Sequence, residues 1–317
     1  MTHKMMWIGA ASALVLASPA MAAPVAYTLG GDGTQLYKIT DFNNPGSGTN
    51  MALTDAMGQP VSYDSLAYRP RTGQLYAYDD TLNRVGLVDL STGVVTPIVT
   101  TASGTPEATV VATVGFDFNN AIDAARIVTT DDMNIVFFPN NSPANVTRFT
   151  DLFYAPGDVN EGADPSIFAN AYTNAVPMTS TTRQFGLDSQ TNSLVQINNN
   201  SGHLTTVGRL TLDGMTTLDF TDNGGFDILS YSEGDNTAYA LLTTGGGIGL
   251  FTFALTANAD GWLETTFLGS FGSFTNVFTS LAVFDDGSPV PIPAGALLFA
   301  SGLGVAGALR RRKKAAA

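Results

Sequence analysis

Carboxylates dominate the chemistry this chain offers. Its 317 residues hold 27 Asp and Glu, no Cys and two His, of which His203 alone lies beyond the extreme N-terminus. That inventory excludes a thiol nucleophile, a thiolate metal site and a multi-histidine metal centre. Neither G-x-S-x-G nor a P-loop occurs, so serine hydrolysis of the α/β type and P-loop phosphate binding are excluded as well. A Ser-His-Asp arrangement would have to use His203, which sits in Asn200-Ser201-Gly202-His203 and reads as a solvated hairpin-turn residue.

Two chemistries remain open to the acids. Paired-carboxylate glycoside hydrolysis would draw on Asp117 and Asp123 beside Arg126, or on Asp219, Asp222 and Asp227. Calcium, a hard cation, would suit the oxygen-rich stretch from Asp219 through Asp222 to Asp227, and also Asp151 to Asp164 with Asp158, Asn160 and Glu161. Neither stretch has EF-hand spacing. Asp and Asn also serve simply as turn residues that hydrogen-bond their own backbone, and Gly-rich connections need such residues in any case. The expectation is no catalytic residue, no organic cofactor, and calcium at Asp219, Asp222 and Asp227 as the one metal worth testing.

The elements that carry these acids read as short strands. From Ala23 to Asp286, runs of four to seven β-branched and aromatic residues alternate with Gly, Asn, Asp and Ser clusters, with almost no helical period. Gln74 to Tyr78, Arg84 to Asp89 and Val94 to Val99, the last two joined at Ser91-Thr92-Gly93, form one meander. Its opening strand, Ser65 to Tyr68, recurs as Val114 to Phe118, Phe168 to Thr173, Leu218 to Phe220 and Ser280 to Phe284. Measured from Leu66, Gly115, Ala169, Leu218 and Leu281, the spacings are 49, 54, 49 and 63 residues. Periods near 50 suit four-stranded propeller blades, and one meander cannot bury both its faces without neighbours.

The last opening strand has no blade after it. Val25 to Leu29, Gln35 to Thr40 and Asn50 to Thr54, conversely, have no opener of their own. The sequence therefore predicts an all-β fold, a β-propeller of about five four-stranded blades in which N- and C-terminal strands close the ring. A β-sandwich or a pair of all-β domains fits the same alternation. Tyr76, Tyr78, Phe116, Phe118, Phe251 and Phe253 stand at period two and read as packing between blades. Trp262, beside Gly261, reads as a surface turn residue.

The two ends supply an address. Met1 to Lys4 is a short positive start, Met5 to Ala17 is a 13-residue apolar run, and Ser18-Pro19 breaks it before Ala20-Met21-Ala22. That small-x-small pattern predicts cleavage by signal peptidase between Ala22 and Ala23. At the other end Val290-Pro291-Ile292-Pro293-Ala294 precedes the uncharged Gly295 to Leu309, then Arg310, Arg311, Arg312, Lys313 and Lys314. Cations in that place hold the tail on the cytoplasmic side and leave the body outside. The chain thus divides into a signal peptide (1–22), a propeller-like domain (23–284), a linker with the proline motif (285–292), a transmembrane helix (293–309) and a basic tail (310–317). The body carries 27 acidic and 8 basic residues, a net charge near −19 that repels phosphate backbones and excludes nucleic acid as a partner. Gly302 to Gly307 spells G-x-G-x-x-G, but no strand precedes it and it falls in the apolar tail.

The order of proline motif, apolar helix and Arg cluster resembles the PEP-CTERM class of exosortase sorting signals, in the variant that reads Val-Pro-x-Pro-Ala; Ile292 stands where the usual Glu would. The resemblance implies a Gram-negative bacterial protein held in the inner membrane by its tail, then processed by an exosortase-type enzyme and delivered to the cell surface or beyond. Bacteria with this system often make extracellular polysaccharide. The body, in Leu36 to Ile39, Leu66 to Ala77, Val114 to Asn119 with Asp123 and Arg126 to Val128, and Ala171 to Asn174 before Phe185 to Asp188, resembles the family catalogued as domain of unknown function 4394. That family's second block reads Phe-Asp-Phe-Asn-Pro with an Asp-Arg-Leu-Arg run; here Asn120 replaces the Pro, and Ala124-Ala125-Arg126 loosens the run. This second resemblance implies a propeller-like repeat and no reaction. The combined reading is an exported propeller of the envelope or extracellular matrix acting as a non-enzymatic interaction or structural module. Its alternative is a carbohydrate-binding or carbohydrate-active protein acting on exported polysaccharide. Expected partners are signal peptidase, the exosortase-type enzyme, the inner membrane, and an extracellular polysaccharide or protein.

Overall fold

Turn chemistry sets the strand length. At Asp89 to Gly93 the Asp89 Oδ1 accepts the Ser91 N–H at 2.8 Å, and Gly93, at φ 75°, donates its own N–H to the Asp89 carbonyl at 2.8 Å. A Cβ on Gly93 would lie 2.2 Å from the Ala52 carbonyl oxygen, so glycine is required here both by its left-handed backbone and by the close approach of a neighbouring strand.

The computed structural model describes residues 23–98, 100–103, 113–272 and 278–285. The signal peptide at 1–22, the motif Val290, Pro291, Ile292, Pro293 and Ala294, the helix at 293–309 and the cations Arg310 to Lys314 lie outside these residues. Ala23 is described and exposed; Ala20 and Ala22 are not described.

The chain begins with β1 (Pro24–Gly30), β2 (Gln35–Ile39) and β3 (Thr49–Ala52). A meander follows of β4 (Ser65–Arg69), β5 (Gln74–Asp79), β6 (Arg84–Val88) and β7 (Val95–Ile98). After β8 (Thr100–Ser103) comes a second, β9 (Val114–Asn119), β10 (Ala124–Thr129), β11 (Asn134–Phe138) and β12 (Ala144–Arg148), with β8 added parallel to β12. After the two-residue β13 (Phe153–Tyr154) a third comprises β14 (Ile167–Tyr172), β15 (Gln184–Asp188), β16 (Ser193–Asn198) and β17 (His203–Thr211). The fourth comprises β18 (Phe220–Ser232), β19 (Asp235–Thr244), β20 (Gly247–Phe253) and β21 (Trp262–Ser270). Finally β22 (Thr279–Asp285) pairs antiparallel with β1, completing a sheet of order β22-β1-β2-β3. The terminal strands therefore close the ring, as the unmatched first strands and the unmatched last opener implied.

The opening strands β4, β9, β14, β18 and β22 each pack on the next, and β22 returns to β4. Burial follows the same circuit. Tyr27, Leu36 and Phe284 pack with Leu66, Leu75 and Ala77; Tyr76 and Tyr78 with Phe116, Phe118 and Phe137. Val128 meets Ile167, Val195 and Ile197; Phe168 and Phe185 meet Phe226 and Phe251; Leu229 and Leu241 meet Ala26 and Tyr37. Each meander thus buries both faces, one against each neighbour, which is how a flat apolar sheet is kept from water. Among the described residues there is no α-helix, and no helix is long and apolar enough to cross a membrane.

One expectation fails. The fourth opening strand lies seven residues later than Leu218: Leu218 and Asp219 precede β18, and the part that meets its neighbours is Gly225-Phe226-Asp227. A shift in β-pairing between Phe220 and Gly224 absorbs the intervening residues, which local alternation does not register. With Gly225 in place of Leu218 the last two spacings become equal, at 56 and 56 residues.

Candidate functional site

Period-two alternation decides which side chains reach the ring axis. Phe116 and Phe118 on β9 enter the core between meanders, which sends Asp117 to the opposite side; Phe226 and Ile228 do the same for Asp227 on β18. Both acids are buried. Asp117 Oδ2 accepts the N–H of Tyr172 on β14 at 2.6 Å. Asp227 Oδ2 accepts the N–H of Val283 on β22 at 2.5 Å, and its Oδ1 accepts the N–H of Ile228 at 2.7 Å. Ser280 makes the equivalent link from β22 to β4, its Oγ accepting the Leu66 N–H at 2.7 Å. Side chains thus pair backbone donors on the innermost strands, which have no further strand to bond.

Asp117 and Asp227 open on one cavity of about 270 Å³ at the C-terminal ends of the opening strands. Tyr68, Asn120, Ser230, Tyr231 and Phe284 also line it. Tyr68 stacks on Phe284 with ring centroids 3.8 Å apart and planes 7° from parallel, and Tyr27 also stacks near Phe284, at 5.7 Å and 10°. Burial pushes both carboxyls above the ordinary range, and the charge of Asp227 raises Asp117 further. The backbone N–H bonds oppose this and do not outweigh it. The floor of the cavity is consequently a pair of acids that hold protons readily, beside an aromatic wall.

The other residues singled out by the sequence take structural places. Asp123 forms a two-pronged ion pair with Arg69, Nε to Oδ1 at 2.7 Å and Nη2 to Oδ2 at 2.5 Å, and does not pair with Arg126. Arg126 instead donates to Asn134 and Asn200 at 2.7 and 2.8 Å. Asp158 accepts from the backbone of Asn160 and Thr206, and Glu161 from Gly157, so these oxygens close turns. Asp219, Asp222 and Asp227 do not converge. Asp219 is exposed and accepts from Asn192 at 3.1 Å, Asp222 is exposed, and Asp227 is buried at the axis. The calcium expectation at those three meets a strand, not a loop, and burial separates its members. Among the described residues, the group of three acids whose oxygens do converge is Asp64, Asp79 and Asp80.

His203 is not a free turn residue: it opens β17, half-buried, with its ring edge-on to Phe153 at 4.7 Å. Trp262 likewise opens β21, half-buried, where β17 and β21 pair in parallel through Arg209 and Trp262. It lines a cavity of about 300 Å³ with Asn160, Thr206 and Asp260. The pairing of Asp117 with Asp227 had one local signal, the tripeptide Gly-Phe-Asp at both 115–117 and 225–227.

A closed circuit of four-stranded meanders with a cavity at one end of its inner strands defines a β-propeller-like protein. The chain belongs to the family described as domain of unknown function (DUF4394), whose model matches residues 28–277. No curated protein matches it significantly. Among solved structures it is similar to an auxiliary nutrient binding protein from Bacteroides thetaiotaomicron, at 12% identity and a TM-score of 0.39, over 68% of this chain and 55% of that one. It is also similar to virginiamycin B lyase from Staphylococcus aureus (13%, TM-score 0.35, 67% and 57%). A third is a protein of unknown function from Bacteroides caccae (7%, TM-score 0.38, 83% and 99%). The chain spans about half the length of the nutrient-binding protein.

Proposed function

We propose that this chain is an exported, five-bladed propeller that serves the cell envelope as a non-enzymatic binding module, with the axial cavity as its ligand site. One observation carries the reading: the carboxyls of Asp117 and Asp227 are committed to backbone N–H groups on the next opening strand. Their oxygens serve to hold neighbouring opening strands together, which gives both acids a structural task. Five blades follow from taking each meander as one blade. Export and sorting rest on the patterns at Ala20, Ala22 and Ala23 and at Val290 to Ala294. A floor of proton-holding acids beside the Tyr68 and Phe284 stack suits a neutral, hydroxyl-rich ligand, and an exported polysaccharide is the candidate to test first. Calorimetry of the full chain against neutral oligosaccharides should show binding that Tyr68→Ala removes; no binding across the panel overturns the ligand assignment.

A second reading, carbohydrate-active enzyme, is favoured by two buried acids with raised pKa values in one cavity. Turnover of oligosaccharides abolished by Asp227→Asn in a folded variant would establish it and overturn the first.

A further inference from the structure

We infer that Asp64, Asp79 and Asp80 form a binding site for a divalent cation of calcium's size. The three come from two chain segments: Asp64 precedes β4, Asp79 ends β5 and Asp80 opens the β5–β6 turn. The Asp64 N–H donates to the Tyr78 carbonyl at 2.8 Å and the Asp80 N–H to Asp64 Oδ2 at 2.9 Å, so the backbone clamps the acids together. One oxygen from each lies within 4.8 Å of the others. Calcium binds oxygen at about 2.3–2.6 Å, so two of its ligands stand no more than about 5 Å apart, a limit that this spacing meets.

Charge and hydrogen bonding point the same way. Asp79 is provided for, because Arg84 Nε lies 2.8 Å from its Oδ2, in an ion pair not aligned as a hydrogen bond, and Leu82 N–H donates to its Oδ1 at 3.0 Å. Asp80 is 6% exposed, its Oδ2 is buried with no hydrogen-bond partner, and its Oδ1 has only the Thr81 hydroxyl at 3.3 Å. An unpartnered buried carboxylate oxygen is strongly destabilising unless a cation or a proton meets it.

The chain contains its own control. At the matching places stand Ser166 before β14, Asp188 at the end of β15 and Ser189 after it; there the two serines bond each other, Oγ to Oγ at 3.0 Å. Two facing carboxylates cannot do so without a shared proton or a cation. Asp64 also lines a cavity of about 240 Å³ with Asp32 and Thr113, at the N-terminal ends of the opening strands, which gives an ion a way in.

Calorimetric titration of chelator-treated full chain with calcium chloride should reveal one site. Asp222→Asn should leave it intact, and Asp80→Asn should weaken it at least tenfold. The double variant Asp64→Ser with Asp80→Ser, which copies the serine pair, should keep the β-sheet circular dichroism and lose the site. Absence of binding at millimolar calcium, or binding untouched in the folded double variant, overturns the assignment. No glycan is present in the titration, so its outcome is separate from that of the axial cavity.

Discussion

Asp117 on β9 accepts the backbone N–H of Tyr172 on β14 at 2.6 Å, joining two meanders through their innermost strands. Replacing Asp117 with Val should leave that N–H buried and unpaired, at about 1–3 kcal/mol of stability. Asp117→Asn keeps an acceptor and removes only the charge, so at pH 8 it should be at least as stable as the parent. Urea unfolding of both variants checks this; equal losses would mean the bond is not what the acid provides.

Acidification should stabilise the ring. Burial raises Asp117 and Asp227, and burial with Asp164 and Asp151 nearby pushes Asp132 up to about 7 from 3.8. Between the ordinary and the raised value the native state keeps a proton that the unfolded chain has released, so these groups add stability as pH falls from about 7 towards 4. Acids with lowered values act in the opposite sense, and the readout is therefore a difference. In chelator, the change in urea midpoint between pH 7.5 and 5 should favour acid less in Asp227→Asn and Asp132→Asn than in the parent; identical changes would refute the assignment.

Arg69 and Asp123 link β4 to the start of β10 in a pair from which water is nearly excluded. Arg69→Met leaves the Asp123 charge to the half-exposed Arg71, at 3.6 Å, and to the Asn140 amide, and should cost up to about 3–5 kcal/mol. Adding Asp123→Asn should recover part of that loss, since Asn tolerates the φ of 56° at this position and carries no charge. Arg69→Lys, lacking the fork, should fall between. Chemical denaturation of the three variants measures the order; no recovery in the double variant counts against a stranded charge.

Gly225 touches the backbone of β22. A Cβ there would stand 2.2 Å from the Ser280 carbonyl carbon and 2.4 Å from the Leu281 nitrogen, whereas one on Gly245 meets nothing within 4 Å. Gly225→Ala should therefore lose at least about 1–3 kcal/mol, and Gly245→Ala close to none. Similar melting temperatures for the two would remove the close approach from the account.

Export and sorting make a prediction of their own. Intact-mass analysis of protein recovered outside the cell should show a chain that starts at Ala23 and lacks Ala317. Replacing Pro291 and Pro293 should block the C-terminal trimming, and neutralising Arg310 to Lys314 should weaken membrane retention. Exported protein that ends at Ala317 would refute the sorting reading.

Strand identity and turn position were legible in the residues, because each is set within about ten positions, and ring closure was legible from the count of strands left unmatched. Ser91-Thr92-Gly93 turns as its composition requires, and Val25 to Leu29, paired with β2 on one edge, takes the strand at Ser280 to Phe284 on the other. The start of the fourth opening strand was not legible, since the break in pairing between Phe220 and Gly224 looks like ordinary strand sequence. The acids of the two candidate sites were less legible still. Asp117 meets Asp227 across 110 positions and Asp64 meets Asp80 across 16, through packing of one strand on another. Alternation tells which face a side chain takes, and the repeated Gly-Phe-Asp hinted at a shared role. Asp64 and Asp80 meet when β4 pairs with β5, but Asp117 and Asp227 come to one cavity only when the meanders close into a ring, because burial and Coulomb interaction depend on distance in space and not along the chain.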